Sequence, residues 1–435
     1  MNKINSEYLV LRHGSKFFFV FLIVLCSCKK PDQKRISLDP KPLNNILDSY
    51  VNNGIYPFLY SRIEESTGRV VYEHTAVNKE LLPGLNIGAN TWMRIWSMSK
   101  LITISIAMDL IEDRLLSLDD PVINYIPEFK NLKVAVNSDG TSLAMSKSKD
   151  DLCPFNLVEP DSVLKIKHLF DHTAGFYYAL NGISCIDSLA ATIDVPNQEN
   201  GNQLINSLSK LPLIQHPGEI YRYGLNTTVL GLLLERATSQ SLNDLVKNRI
   251  TSPYNIEGLR YTLLKNVNLI PAFTGRDGKL RKVKQGELDL YGGNVPDYHS
   301  ETNLFLGGEG MLGTASGYIN FMRVLFFKRS LNKKEFLSEQ TVKEMTSKPK
   351  GLNNDHGYQT GYAFYLTSET HEYEKNILRV GGYEKTKCWV DRENKLIGTL
   401  FSQVNETQDR IGLGSKMEDD FKKELYHQLD RFETN

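Results

Sequence analysis

The chain has 435 residues, 41% hydrophobic and 23% charged, with 51 Lys+Arg balancing 51 Asp+Glu for a formal net charge of zero. These values exclude a disordered, collagen-like or multi-span membrane chain, and they supply none of the basic field that nucleic-acid binding needs. The length admits two or three folding units, or one large body carrying an inserted subdomain.

The N-terminus departs from this even composition. Lys3, Arg12 and Lys16 precede an apolar run over 17–25, too short to cross a bilayer as a helix. A basic start and a short apolar core make the pattern of a secretory signal. The run ends in Leu25-Cys26-Ser27-Cys28, which resembles a bacterial lipobox whose last cysteine is diacylated. On that resemblance residues 1–28 are a lipoprotein signal peptide and Cys28 is the lipidation site. The polar, Pro-containing residues 29–41 are a tether. The protein is then expected at the bacterial cell envelope, held to the membrane by its lipid and facing the periplasm or the outer surface. Cys153, Cys185 and Cys388 remain after such processing, which is not a disulfide framework; a Cys153–Cys185 pair stays open. No cysteines are spaced like a zinc knuckle, and His371-Glu372 lacks the second histidine of a zincin helix. Neither a metal nor a cofactor is expected.

Further along, residues 43–51 read as a short amphipathic helix. Residues 56–64 and 69–74, aromatic and β-branched around Ser66-Thr67-Gly68, read as a β-hairpin. Over 97–115, Leu101, Ile104, Met108, Leu110, Ile111 and Leu115 recur near helical spacing. Leu118-Asp119-Asp120-Pro121 signals a new helix start. The polar stretch 135–161 reads as a loop. Residues 165–170, 203–208 and 227–237 are helical, and 307–327 is a Gly-rich loop followed by a helix. Four strand-like runs follow, at 361–366, 377–381, 387–391 and 395–403, and 416–432 closes as a helix. This order implies an α+β fold with an antiparallel sheet built from both chain ends and flanked by helices. The expected body is 42–405, with a mostly helical insert at about 116–300, and residues 406–435 add a helix packed on the sheet.

A Ser-x-x-Lys spacing puts a hydroxyl and an amine side by side on one helix face. At a helix start, the field of the N-terminus favours a developing alkoxide. The amine accepts the hydroxyl proton only when uncharged, and bringing a free lysine from about 10.4 to near 7 costs on the order of 4 kcal/mol. Burial and a second cation are the usual means. The spacing recurs at Ser27/Lys30, Ser146/Lys149, Ser162/Lys165, Ser207/Lys210, Ser330/Lys333 and Ser347/Lys350. Only Ser97/Lys100 opens a long apolar-periodic helix directly after a strand-like segment, residues 91–96.

The run Met93-Arg94-Ile95-Trp96-Ser97-Met98-Ser99-Lys100, followed by Leu118-Asp119-Asp120-Pro121-Val122 and Tyr125-Ile126-Pro127-Glu128-Phe129, resembles the opening of the class C β-lactamase and penicillin-binding-protein-like serine hydrolases. The likeness is strongest to the carboxylesterase branch called family VIII. His172-Thr173-Ala174-Gly175-Phe176, Tyr221-Arg222-Tyr223-Gly224-Leu225 and Gly381-Gly382 with Trp389-Val390-Asp391 resemble later elements of that family, in its order. The resemblance implies a β-lactamase/transpeptidase-like fold. It implies Ser97 as nucleophile, Lys100 as base, Tyr223 sharing the base role, and the backbone N–H groups of Ser97 and Tyr383 as oxyanion hole. Gly381, Gly382, Leu225, Trp96 and Tyr177 are the expected pocket lining, with Tyr178 beside them. His172 is expected as a structural turn element.

The departures from the family pattern bear on substrate. Penicillin-recognising relatives carry Tyr-x-Asn, where this chain has Leu225. Their Lys-Thr-Gly is replaced by Val380-Gly381-Gly382, which has no charge for a substrate carboxylate. Esterase relatives usually place tryptophan at the position of Val380, a small residue at Tyr383 and glycine at Lys385. The expected substrate is a small carboxylic ester or related acyl compound. A D-Ala-D-Ala-type peptidase or weak β-lactamase, and a catalytically silent binding protein on the same scaffold, stay open, as does the oligomeric state. The Gly-x-Gly-x-x-Gly spelling at Gly308, Gly310 and Gly313 lacks the strand and acidic residue of a dinucleotide fingerprint.

Overall fold

Two strands, β1 (Phe58–Glu65) and β2 (Val70–Val77), form the expected hairpin, and Gly68 supplies the left-handed residue of its turn at φ 91°. The computed structural model describes residues 35–434 apart from 146–154, 179–183, 191, 266, 285–286, 289–297, 328–334, 348–356, 360–361 and 412–413. Cys28 with the expected lipobox, Cys153, the side chain of Cys185 and the expected strand start at Gly361 therefore lie outside the described residues. Among the described residues no helix is long and apolar enough to cross a membrane.

Three short strands, β3 (Met93–Arg94), β4 (Leu259–Arg260) and β5 (Leu312–Gly313), form a small sheet in the order β3-β5-β4. The C-terminal part supplies β6 (Gly357–Gln359), β7 (Tyr365–Thr367), β8 (Leu378–Gly381), β9 (Lys387–Asp391) and β10 (Leu396–Phe401). With the hairpin they make one seven-stranded sheet in the order β6-β7-β8-β9-β10-β1-β2. Every neighbouring pair is antiparallel, and β10 joins β1 with Tyr60 opposite Phe401 and Ile63 opposite Gly398. The two chain ends thus share one sheet, and the chain between them returns as helices: the expected α+β architecture.

The principal helices are α1 (Pro40–Asn52), α2 (Ser99–Glu112), α3 (Ile166–Phe170), α4 (Gly201–Leu208), α5 (Asn226–Thr238), α6 (Ala315–Phe327) and α7 (Lys416–Thr434). Asp39 starts α1 by accepting from Lys41 N at 3.0 Å, and Leu43, Leu47 and Val51, four residues apart, form its buried stripe. Tyr72 of β2 donates to Asn44 at 3.0 Å and Tyr50 to Asp420 of α7 at 2.7 Å, so α1 and α7 share one face of the sheet. Side chains alternate along β9. Trp389 meets Lys422 of α7 at 4.9 Å from its ring centroid, whereas Cys388 points the other way, beside Tyr318 of α6. Tyr318 in turn donates to Met98 O at 2.9 Å, so α6 is the layer between the sheet and the start of α2.

Three expectations give way here. The helix expected over 97–115 stops at Glu112, because Arg114 takes φ 60° and Leu115 is left exposed. The start signal at Leu118-Asp119-Asp120-Pro121 yields a single 3-10 turn, Val122–Asn124, since Pro127 disfavours helix at Ile126. The stretch read as loop holds two short strands, Val134–Val136 paired with Asn156–Val158; Val134, Ala135 and Val136 are all buried, and that tertiary burial overrides the polar surroundings.

Candidate active site

Ser97 stands where a strand ends and a helix begins. β3 carries the chain to Ile95, Trp96 turns it at φ 46°, and a 3-10 turn, Trp96–Met98, runs directly into α2. A non-glycine residue in this left-handed region is strained by about 1–2 kcal/mol. Buried Glu384 offsets that strain: its Oε2 accepts from Trp96 Nε1 at 2.8 Å and from Arg94 Nε at 2.7 Å. Trp96, expected as pocket lining, is thus wholly buried and acts as the anchor beneath Ser97.

Hydroxyl, amine and phenol come together. Tyr223 Oη donates to Ser97 Oγ at 2.7 Å, and Lys100 Nζ donates to the same oxygen at 3.4 Å. Lys100 Nζ also lies 4.8 Å from the Tyr223 ring centroid. Lys100 is buried, whereas Tyr223 is 39% exposed and Ser97 is half-buried, which leaves the meeting point open to an incoming acyl group.

Two close approaches hold Tyr223. A Cβ on Gly224 would meet Phe176 O at 1.9 Å, so only glycine lets the loop before α5 pass the turn at 172–178. His172, at φ 57°, stacks on the Tyr223 ring at 4.8 Å and 28°, and its Nδ1 meets Asn226 Nδ2 at 3.0 Å. Burial, and after it the charge of Lys100, push the imidazole down to about 3. His172 is therefore a neutral shelf under the phenol.

The remaining expected lining residues scatter. Tyr177 packs in a separate small core with Ala135, Leu143, Ala144, Ile186 and Ile214, and its hydroxyl donates to Asp187. It does not line the site; its neighbour Tyr178 is the one that reaches Lys100, at 3.2 Å. Leu225 is buried at the start of α5. Gly381 pairs with Lys387 across β8 and β9. At Gly382 a Cβ would lie 2.4 Å from Ile95 O, so glycine lets the end of β8 close on the segment before Ser97. The Tyr383 ring then packs edge-on against Trp96 at 5.6 Å. Lys385 takes φ 64°, the conformation that explains the glycine usual in esterase relatives. Val380 is buried.

Sequence reasoning missed the group behind Lys100. Its Nζ donates to Gly308 O at 2.8 Å and to Tyr178 Oη at 3.2 Å, and Glu309 Oε2 lies 3.7 Å away. Glu309 is fully buried and accepts from Tyr178 Oη and Thr228 Oγ1, each at 2.7 Å. Lys100 is buried as expected, but its nearest charged partner is a carboxylate and not a second cation. One signal pointed to Glu309: a lone carboxylate inside the apolar, glycine-rich run 304–312 is costly unless partnered.

A hydroxyl at a helix start, wired to an amine and a phenol on a sheet built from both chain ends, is the β-lactamase/transpeptidase-like arrangement. A model of the Beta-lactamase family matches residues 66–417, and the chain belongs to that family. It is 25% identical over 244 residues to ML-236A carboxylate methylbutanoyltransferase of Penicillium citrinum, a match covering 56% of this chain and 53% of that protein. This chain thus spans about half the length of that relative. It is 23% identical over 402 residues to lovastatin esterase of Penicillium rubens, covering 84% of this chain and 92% of the other. The solved structure of EstCE1, a hydrolase with promiscuous acyltransferase activity, superposes with a TM-score of 0.71 at 19% identity, over 89% of this chain and 98% of that one. That likeness shows the fold.

Proposed function

We propose that this chain is a serine hydrolase that works through an acyl-enzyme on Ser97, with small carboxylic esters or related acyl compounds as substrates. The observation that carries the reading is the convergence of Tyr223 Oη and Lys100 Nζ on Ser97 Oγ, at 2.7 and 3.4 Å. Ser97 Oγ attacks the acyl carbon while its proton passes to the Lys100–Tyr223 pair. The oxyanion is held by the backbone N–H groups of Ser97 and Tyr383, each such donor being worth about 10²- to 10³-fold in rate. Tyr223, the more exposed of the pair, returns the proton to the departing alkoxide. Water then releases the acyl group by the same steps in reverse.

Ester preference rests on apolar side chains at two positions where polar groups are usual. Val380 and Leu225 are buried and apolar, where penicillin-recognising relatives place groups for a carboxylate and an amide. Leaving such substrate groups unpaired is strongly unfavourable. The names of the two curated relatives, an esterase and an acyltransferase, point the same way. For location, the basic and apolar N-terminal segment supports a lipid anchor at Cys28.

Intact-mass spectrometry after exposure to a fluorophosphonate tests the reading. We expect one adduct per chain, lost in Ser97→Ala, and turnover of p-nitrophenyl butyrate that disappears with it. An adduct that persists in Ser97→Ala, or no adduct in the wild type, overturns the proposal.

A further inference from the structure

Lys100 carries a counter-ion that the Ser-Lys-Tyr reading does not use. Only 2% of its side chain is exposed, and among the described residues the polar partners of its Nζ are all oxygens: Gly308 O at 2.8 Å, Tyr178 Oη at 3.2 Å, Ser97 Oγ at 3.4 Å and Glu309 Oε2 at 3.7 Å. An ammonium with no opposite charge is strongly penalised at such a depth, and so is a lone carboxylate; the pair compensates both. Glu309 is held from two sides, by Tyr178 of the 172–178 turn and by Thr228 of α5. Among the described residues the titratable groups facing the pair are Tyr178, Tyr223 and His172, with Tyr261 and Tyr298 also on the side of Glu309, and none of them is a cation at neutral pH: four are phenols, and the imidazole is pushed down to about 3.

We infer that Glu309 is the counter-charge of Lys100, a positioning residue that governs how readily the Ser97–Lys100–Tyr223 unit gives up the proton it must lose before attack. The inference rests on the acyl-enzyme reading above and adds a control to it. In the resting unit Lys100 is an ammonium, Tyr223 a phenol and Ser97 a hydroxyl. Competence requires one proton to leave for solvent: an N–H bond of Lys100 breaks, the proton goes to water, and the electron pair stays on nitrogen. The base so formed, directly or through Tyr223, then takes the Ser97 proton as Oγ bonds to the acyl carbon. A carboxylate within about 4–6 Å favours the charged amine and opposes that first loss. Glu309 thereby displaces the onset of activity toward alkaline pH.

The test is the pH profile of kcat/KM for p-nitrophenyl butyrate, read in the full-length wild type and in Glu309→Gln. Glutamine keeps the shape, an acceptor oxygen and the neighbouring hydroxyls but removes the charge. We expect the ascending limb to move toward acid by about one to three pH units, the range for an opposite charge at this distance. The limb of the fluorophosphonate labelling rate should move with it. Thr228→Val, which removes one hydrogen bond to Glu309 and leaves its charge, should move the limb far less. If Glu309→Gln fails to fold, Glu309→Asp, which draws the carboxylate back by one methylene, should give a smaller shift of the same sign. An unmoved limb in a folded, labelled variant, or an equal shift in Thr228→Val, overturns the inference. A wild type that neither turns over the ester nor labels at Ser97 overturns the acyl-enzyme reading instead, so the two failures are distinct.

Discussion

Ser97 is shaped as much by what lies under it as by what touches its oxygen. Tyr223 and Lys100 reach the hydroxyl directly, while Glu384 grips Arg94 and Trp96 from below and holds the chain in a left-handed turn just before Ser97. Glu384 follows Tyr383 in the chain, so one side chain ties together the two segments whose backbone N–H groups form the proposed oxyanion hole. Glu384→Gln retains an acceptor for the Trp96 indole but leaves the buried Arg94 guanidinium without its counter-charge. Stripping one partner from a buried pair typically costs about 3–5 kcal/mol. Urea unfolding should therefore show a loss of that order, with kcat falling alongside; a loss below about 1 kcal/mol contradicts the clamp. The Ser97–Lys100 pair was legible because motif spacing and helix periodicity are properties of the chain itself, and Tyr223 was legible only through the resemblance of its motif to the family's. Glu384 and Glu309 were not, because a carboxylate's role depends on which distant cation or hydroxyl it meets.

At the scale of elements, local pattern succeeded where packing agreed with it. The hairpin, the strand Lys387–Asp391 and the helix from Lys416 appear close to where alternation and helical periodicity put them. The strands at Val134–Val136 and Asn156–Val158 exist because they pair with each other across a polar stretch, and periodicity in a single segment carries no such partner. α5 places Tyr223 just ahead of its first turn and ends near a second unusual carboxyl. Burial pushes Glu235 up to about 7, against a backbone N–H from Leu242 that donates to its Oε1 at 2.7 Å. The folded value lies above the ordinary 4.5, so folding favours the protonated form. That contribution is complete below about pH 4.5 and is lost as pH rises through about 7. Glu235→Gln, which stays neutral, should be more stable than the wild type by on the order of 3 kcal/mol at pH 8, and the gap should narrow to below about 1 kcal/mol at pH 5. Equal melting of the two proteins at pH 8 contradicts this.

On the scale of the whole molecule, both chain ends build one sheet, and the chain between them brings Tyr223 to Ser97 and Glu309 to Lys100, two residues that the N-terminal part supplies. Residues 1–34, outside the described residues, carry the basic and apolar pattern read as a signal with an anchoring cysteine. For that segment the expectation is anchoring: expressed in a bacterium, the wild type should sediment with membranes and incorporate an alkyne-labelled fatty acid, and Cys28→Ala should do neither. Equal membrane recovery of both proteins removes the anchor. The amino-acid sequence by itself determined the class of fold and the Ser-x-x-Lys pair, because these follow from residue type, spacing and periodicity along one chain, and it carries Leu225 and Val380 where the family pattern has polar groups. Only the tertiary structure decided that Tyr178 and not Tyr177 faces Lys100, that Trp96 is an anchor and not a wall, and that a carboxylate backs the amine. Those outcomes depend on which side chains meet across long stretches of chain, and in a buried site the partner determines what a charge does.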